Sequence, residues 1–75
     1  MPHIIVKLYA GRSEELKAQI AAAVANALKE TAGSTDASLS VAIEDVARED
    51  WAEKVYAPDI QANWDKLYKK PGYTP

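Results

Sequence analysis

The hydrophobic period of this chain switches twice within residues 2–46, from two to about 3.6 and back to two, and few folds accommodate that order. Residues Pro2 to Tyr9 read Pro-His-Ile-Ile-Val-Lys-Leu-Tyr, rich in β-branched and aromatic types. Extended, they place Ile4, Val6 and Leu8 on one face and His3, Ile5, Lys7 and Tyr9 on the other. Pro2 fits only at the start of such a strand, where its missing N–H breaks no ladder. Gly11-Arg12-Ser13 then marks a turn, with Ser13 as helix N-cap and Glu14 and Glu15 in the first turn, where negative charge suits the macrodipole. Leu16, Ile20, Ala23, Val24, Ala27 and Leu28 recur at helical spacing up to Gly33, a C-terminal cap. From Ser38 to Val46 the period returns to two, with Leu39, Val41 and Ile43 opposite Ser40, Ala42 and Glu44. Strand, helix and strand in this order predict a βαβ unit of the α/β (α+β) class, with parallel strands and a right-handed crossover helix.

The remaining third of the chain turns helical again. Trp51 and Val55 stand four apart, and Pro58 suits the first turn of a further segment carrying Ile60, Trp64, Leu67 and Tyr68. Pro71-Gly72 ends that segment and leaves Tyr73-Thr74-Pro75 as an extended tail.

At 75 residues the chain is a single domain, 1–75, and a domain of this size buries only about 60% of its unfolded surface. Small scaffolds make up the difference with disulfides, a metal or a partner subunit. Here there is no cysteine, one histidine, and no grouping at metal-ligand spacing, so no metal or other cofactor is expected. Self-association remains. One helix covers one face of a two-stranded sheet, and Ile5 and Tyr9 make the other face partly apolar, which a second copy would cover.

Nine basic residues against eleven acidic ones give a net charge of −2, with no excess to attract phosphate backbones. Lys66, Lys69 and Lys70 are too few and too local to change that reading. No apolar stretch approaches the roughly 20 residues of a membrane-spanning helix, and no signal peptide is visible. The expectation is a cytoplasmic protein that engages neither nucleic acid nor membrane.

The usual catalytic signatures are missing: no phosphate loop, no cysteine nucleophile, and a lone His3 beside the terminus. Glu44 and Asp45 are adjacent on a strand and point to opposite faces, so they cannot act as a facing acid pair. What remains is the terminus. A small residue after the initiator permits removal of Met1, which would turn Pro2 into a free secondary amine able to accept and donate a proton. With Met1 attached, the same nitrogen is a tertiary amide without a usable lone pair. An apolar pocket and a nearby cation both disfavour the ammonium form and would lower the amine pKa toward the working pH, where a general base is most effective. Taken singly, each feature has a plainer reading: Pro2 as a strand starter, Arg12 as a solvated helix-start charge, Trp51 as ordinary packing.

Together these features resemble the 4-oxalocrotonate tautomerase family. The likeness runs through Met1-Pro2 before an apolar strand, Gly11-Arg12-Ser13 opening the helix, Leu39-Ser40-Val41-Ala42-Ile43, and Trp51. Ala57-Pro58 and Lys69-Lys70-Pro71-Gly72-Tyr73 are closer still to its longer subgroup, the PptA tautomerases. The resemblance implies a βαβ tautomerase fold, a homo-oligomer (a dimer as in the longer subgroup, where the shortest members form hexamers), and a cofactor-free proton shuttle on an enol or keto acid with Pro2 as general base and acid. It implies that Arg12 holds a substrate carboxylate, as an Arg fork does bidentately, and that Trp51 excludes water. Ser40 stands where diacid-specific members carry a second arginine, so the expected substrate is a monocarboxylate such as an aryl enolpyruvate, its apolar end against Trp51 and Tyr9. The competing reading is a non-catalytic dimeric binding or interaction module that keeps the fold without the chemistry.

Overall fold

A computed structural model describes residues 1–75. Strand β1 (His3–Tyr9) and strand β2 (Ser40–Val46) pair in parallel, from His3 opposite Ser40 to Tyr9 opposite Val46. Helix α1 (Glu14–Ala32) is the crossover between them. A single 3₁₀ turn, Asp36–Ser38, leads into β2, which therefore begins two residues later than the alternation suggests.

The caps of α1 are those the sequence announces. Ser13 accepts a hydrogen bond from the Leu16 N–H at 3.1 Å, and Gly33 ends the helix at φ 68°, ψ 20° with its N–H donating to Leu28. Gly11 turns the chain out of β1 at φ 120°, a conformation that suits glycine. The inward row of α1 is rotated from the expected stripe: Ile20, Ala21, Val24, Ala25 and Leu28 are half-buried, whereas Leu16, Ala23 and Ala27 lie open. The small Ala21 and Ala25 serve as the close-packing positions. Lys17 pins the helix to the sheet, reaching Glu14 at 2.8 Å and Asp45 of β2 at 2.9 Å. Those two carboxylates, Glu14 first, hold its ammonium pKa above the ordinary lysine value.

The other face of the sheet carries His3, Ile5, Lys7 and Tyr9 beside Ser40, Ala42, Glu44 and Val46. The C-terminal third folds over only one end of it. After a 3₁₀ turn at Arg48–Asp50, residues Ala52–Gln61 form a wide, π-type helix containing Pro58. In an α-helix the Pro58 ring would meet the carbonyl four residues back, and the wider turn relieves that clash. Asn63 closes the segment, its Nδ2 donating to the Pro58 and Asp59 carbonyls at 3.2 Å each. The helix expected from Pro58 through Tyr68 is therefore replaced by one that runs through Pro58 and stops at Gln61, followed by a 3₁₀ turn, Trp64–Lys66. Tyr68 is fully exposed.

Val55, 4% exposed, is the only fully buried residue. It docks the π-type helix on the sheet next to a 2.6 Å ion pair between Lys7 and Asp59. Ile5, at 49% exposure, is left uncovered at the opposite end. The chain exposes 5561 Å², against about 4,500 Å² for a compact monomer of its mass. Its radius of gyration is 13.8 Å, where about 11 Å is usual for the length. The excess area exceeds the roughly 800 Å² that one partner contributes to a standard interface.

Candidate active site

The residues singled out in the sequence fall into two groups at opposite ends of β1. At the N-terminal end, the Pro2 carbonyl accepts from the Ser40 N–H at 3.3 Å, extending the ladder by one residue and clamping the start of the chain against β2. His3 and Ser40 are register partners on the uncovered face, and His3 Nδ1 and Ser40 Oγ share a hydrogen bond of 2.6 Å. Pro2 is half-buried, while Met1 is fully exposed, so loss of Met1 removes no packing.

At the C-terminal end lies a cavity of about 370 Å³ lined by Lys7, Leu8, Tyr9, Arg12, Trp51 and Tyr73. The turn at Gly11 delivers Arg12 to it. The Arg12 guanidinium donates to the Tyr9 carbonyl at 3.0 Å and forms no ion pair, so its charge is uncompensated. Lys7 also reaches the cavity, but Asp59 neutralises it and, through the hydrogen bond, raises its pKa above the ordinary 10.5. The walls are aromatic. Trp51 stands edge-on to Tyr9, with ring centroids 5.0 Å apart at 80°, and the Arg48 guanidinium lies over the Tyr9 ring at 4.8 Å. The Trp51 indole N–H donates to the Tyr73 hydroxyl at 2.8 Å. Arg12 is the one lining cation without an ion pair, and beside the aromatic surfaces it suits an anion with a planar apolar body; Arg48, over Tyr9, forms no ion pair either.

The two groups do not meet within one chain. All seven residues of β1 separate Pro2 from the turn before Arg12, which is roughly 23 Å of strand. Arg12 folds back only as far as Tyr9.

Comparison with known proteins decides what kind of chain has this arrangement. The family model described as "Tautomerase enzyme" matches residues 2–55. The chain belongs to the tautomerase family. It is 45% identical to a probable tautomerase of Xylella fastidiosa over 73 residues, covering 97% of this chain and 89% of the relative. It is 47% identical to the tautomerase PptA of Pectobacterium carotovorum and 32% identical to that of Shigella sonnei, each over 75 residues and 99% of both chains. The family match begins at Pro2 and ends at Val55, so it takes in both residue groups. It leaves out the tail that carries Tyr73 to the cavity of this tautomerase.

The sequence did not single out Lys7, Arg48, His3 or Tyr73 for the site. His3 was legible in principle, because strand alternation and register put it beside Ser40 once β2 starts at Ser40. Tyr73 had no local signal: it reaches Trp51 only because the chain after Gln61 abandons the helix.

Proposed function

We propose that this tautomerase interconverts the enol and keto forms of a monocarboxylate with a planar apolar substituent, an aryl enolpyruvate being the type. The Pro2 amine, freed by loss of Met1, is the base. It takes the enol hydroxyl proton as the oxygen lone pair collapses to a carbonyl, and a proton is returned to the adjacent carbon as the C=C electrons move to it. No net proton or electron is gained, which is why no cofactor is needed. The observation that carries the reading is the uncompensated Arg12 guanidinium in an aromatic cavity of a tautomerase-family chain. Arg12 anchors the carboxylate, and Trp51 with Tyr9 holds the apolar end and keeps water out. Ser40, with no charge of its own, engages the His3 ring at the Pro2 end and supplies no second cation, which disfavours dicarboxylates.

The separation of Pro2 from Arg12 supports a working unit of two chains. A two-fold axis that sets the β1 strands antiparallel brings the Pro2 end of one copy beside the Arg12 end of the other. It also covers Ile5 and removes the surplus exposed area. In that dimer the partner's guanidinium and the excluded water both favour the neutral amine. The test is ketonisation of an aryl enolpyruvate by the Met-free protein. Pro2→Ala greatly reduces turnover with an unchanged circular dichroism spectrum; a variant with full turnover would overturn the proposal.

A further inference from the structure

The tail after the family match ends on a contact that packing alone does not require. Residues 67–75 contain no helix or strand, yet Tyr73 is fixed from two sides: its hydroxyl accepts the Trp51 indole N–H at 2.8 Å, and its ring lies 5.7 Å from that of Tyr56 at 53°. It remains 44% exposed and lines the same cavity as Arg12. The phenol oxygen accepts from Trp51, and the phenol O–H donates to no protein group. A hydroxyl that already accepts a hydrogen bond is a stronger donor, so this proton is available to a ligand in the cavity.

We propose that Tyr73 is a specificity-determining residue of the Arg12 cavity. Its ring is the outer wall against which the planar end of an aryl acid packs, and its hydroxyl donates to an oxygen next to the bound carboxylate. The inference rests on the reading of Arg12 as the carboxylate anchor and adds the element that selects among monocarboxylates. Arg12 alone does not tell acetate from an aromatic acid. The aromatic walls do, and Tyr73 is the one wall held in place by a hydrogen bond and a tilted ring contact rather than by secondary structure. The preferred ligand carries one carboxylate, an oxygen substituent on the adjacent carbon, and an aromatic ring.

Calorimetric titration with acetate, phenylacetate and mandelate separates these contributions. Wild-type protein binds phenylacetate more tightly than acetate, and mandelate more tightly than phenylacetate. Tyr73→Ala lowers the phenylacetate-to-acetate ratio by about threefold to tenfold, the worth of one aromatic contact. Tyr73→Phe keeps that ratio and lowers the mandelate-to-phenylacetate ratio by about threefold to tenfold, the worth of one hydrogen bond. Arg12→Ala weakens all three ligands together. If both Tyr73 variants keep the wild-type ratios while Arg12→Ala loses binding, the tail proposal is overturned and the cavity still stands as a carboxylate site. If Arg12→Ala binds all three acids as the wild type does, the cavity reading fails, and the Tyr73 proposal with it. Because ratios are read within each variant, a general loosening of the tail does not imitate the result of Tyr73→Phe.

Discussion

A site shared between two chains makes a quantitative prediction about mixtures of inactive variants. On the proposed mechanism Pro2→Ala exchanges the ring-held secondary amine for a freely rotating primary one and Arg12→Ala loses the carboxylate anchor, so each homodimer is impaired at both of its sites. Unfolded together in equal amounts and refolded, the two chains pair at random, and half of the dimers are mixed. In a mixed dimer one site draws Pro2 from the Arg12→Ala chain and Arg12 from the Pro2→Ala chain, and is intact. The other site lacks both groups. Assayed with substrate well below KM, where the loss of Arg12 is felt in full, one intact site in half of the dimers restores about a quarter of the wild-type activity per chain, from two preparations that are each strongly impaired alone. The magnitude follows from random pairing, and the sharing from the roughly 23 Å of strand between the two groups, which the seven residues of β1 impose and no side-chain rotation closes. The assay is initial-rate ketonisation of an aryl enolpyruvate across a series of mixing ratios, which should trace a maximum at equal amounts. Activity no higher than the weighted mean of the two variants at every ratio would mean that each site lies within one chain, and the argument from strand length would be wrong.

Other consequences are more local. Arg12→Ala is expected to raise KM more than it lowers kcat, because a carboxylate contact present in both ground and transition states contributes uniform binding; steady-state kinetics decides, and an unchanged KM would remove Arg12 from the site. Val55→Ala, at the one fully buried position, should cost about 2 kcal/mol in urea unfolding at fixed protein concentration. A loss near zero would mean that the π-type helix is not anchored there. Asp36 is hydrogen-bonded to Lys29 at 2.6 Å, which holds its pKa below the ordinary 3.8. A carboxylate with a depressed folded-state pKa stabilises above its unfolded value and loses that contribution as the pH falls through the folded one. The small stability difference between wild type and Asp36→Asn should therefore be present at neutral pH and vanish in acid below 3.8; a difference that persists there would contradict the ion pair.

Most of the fold was legible because its signals are local. Ser13, Gly33 and the two changes of period specify β1, α1 and β2 without reference to anything distant in the chain, and the parallel pairing follows from the crossover. The C-terminal third was less legible because its contacts are long-range. Ile60, Trp64, Leu67 and Tyr68 do repeat at helical spacing, but Asn63 takes the Pro58 and Asp59 carbonyls and ends the helix before that spacing is used. For the same reason Pro2, Arg12, Ser40 and Trp51 could be picked out by type, while their division between two ends of a strand could not: composition and spacing along a chain say little about which groups face each other. Tyr73 is the extreme case, a tail residue whose position depends on Trp51 and Tyr56.

Catalysis by the proposed route requires an unprotonated secondary amine at the head of β1. With ¹⁵N-proline incorporated and Met1 removed, nuclear magnetic resonance titration of the Pro2 nitrogen measures that directly. The account predicts a midpoint close to neutral pH that rises when Arg12 is replaced by alanine, since a neighbouring cation is then lost. A nitrogen that stays protonated well above neutrality and ignores the Arg12 substitution would contradict it.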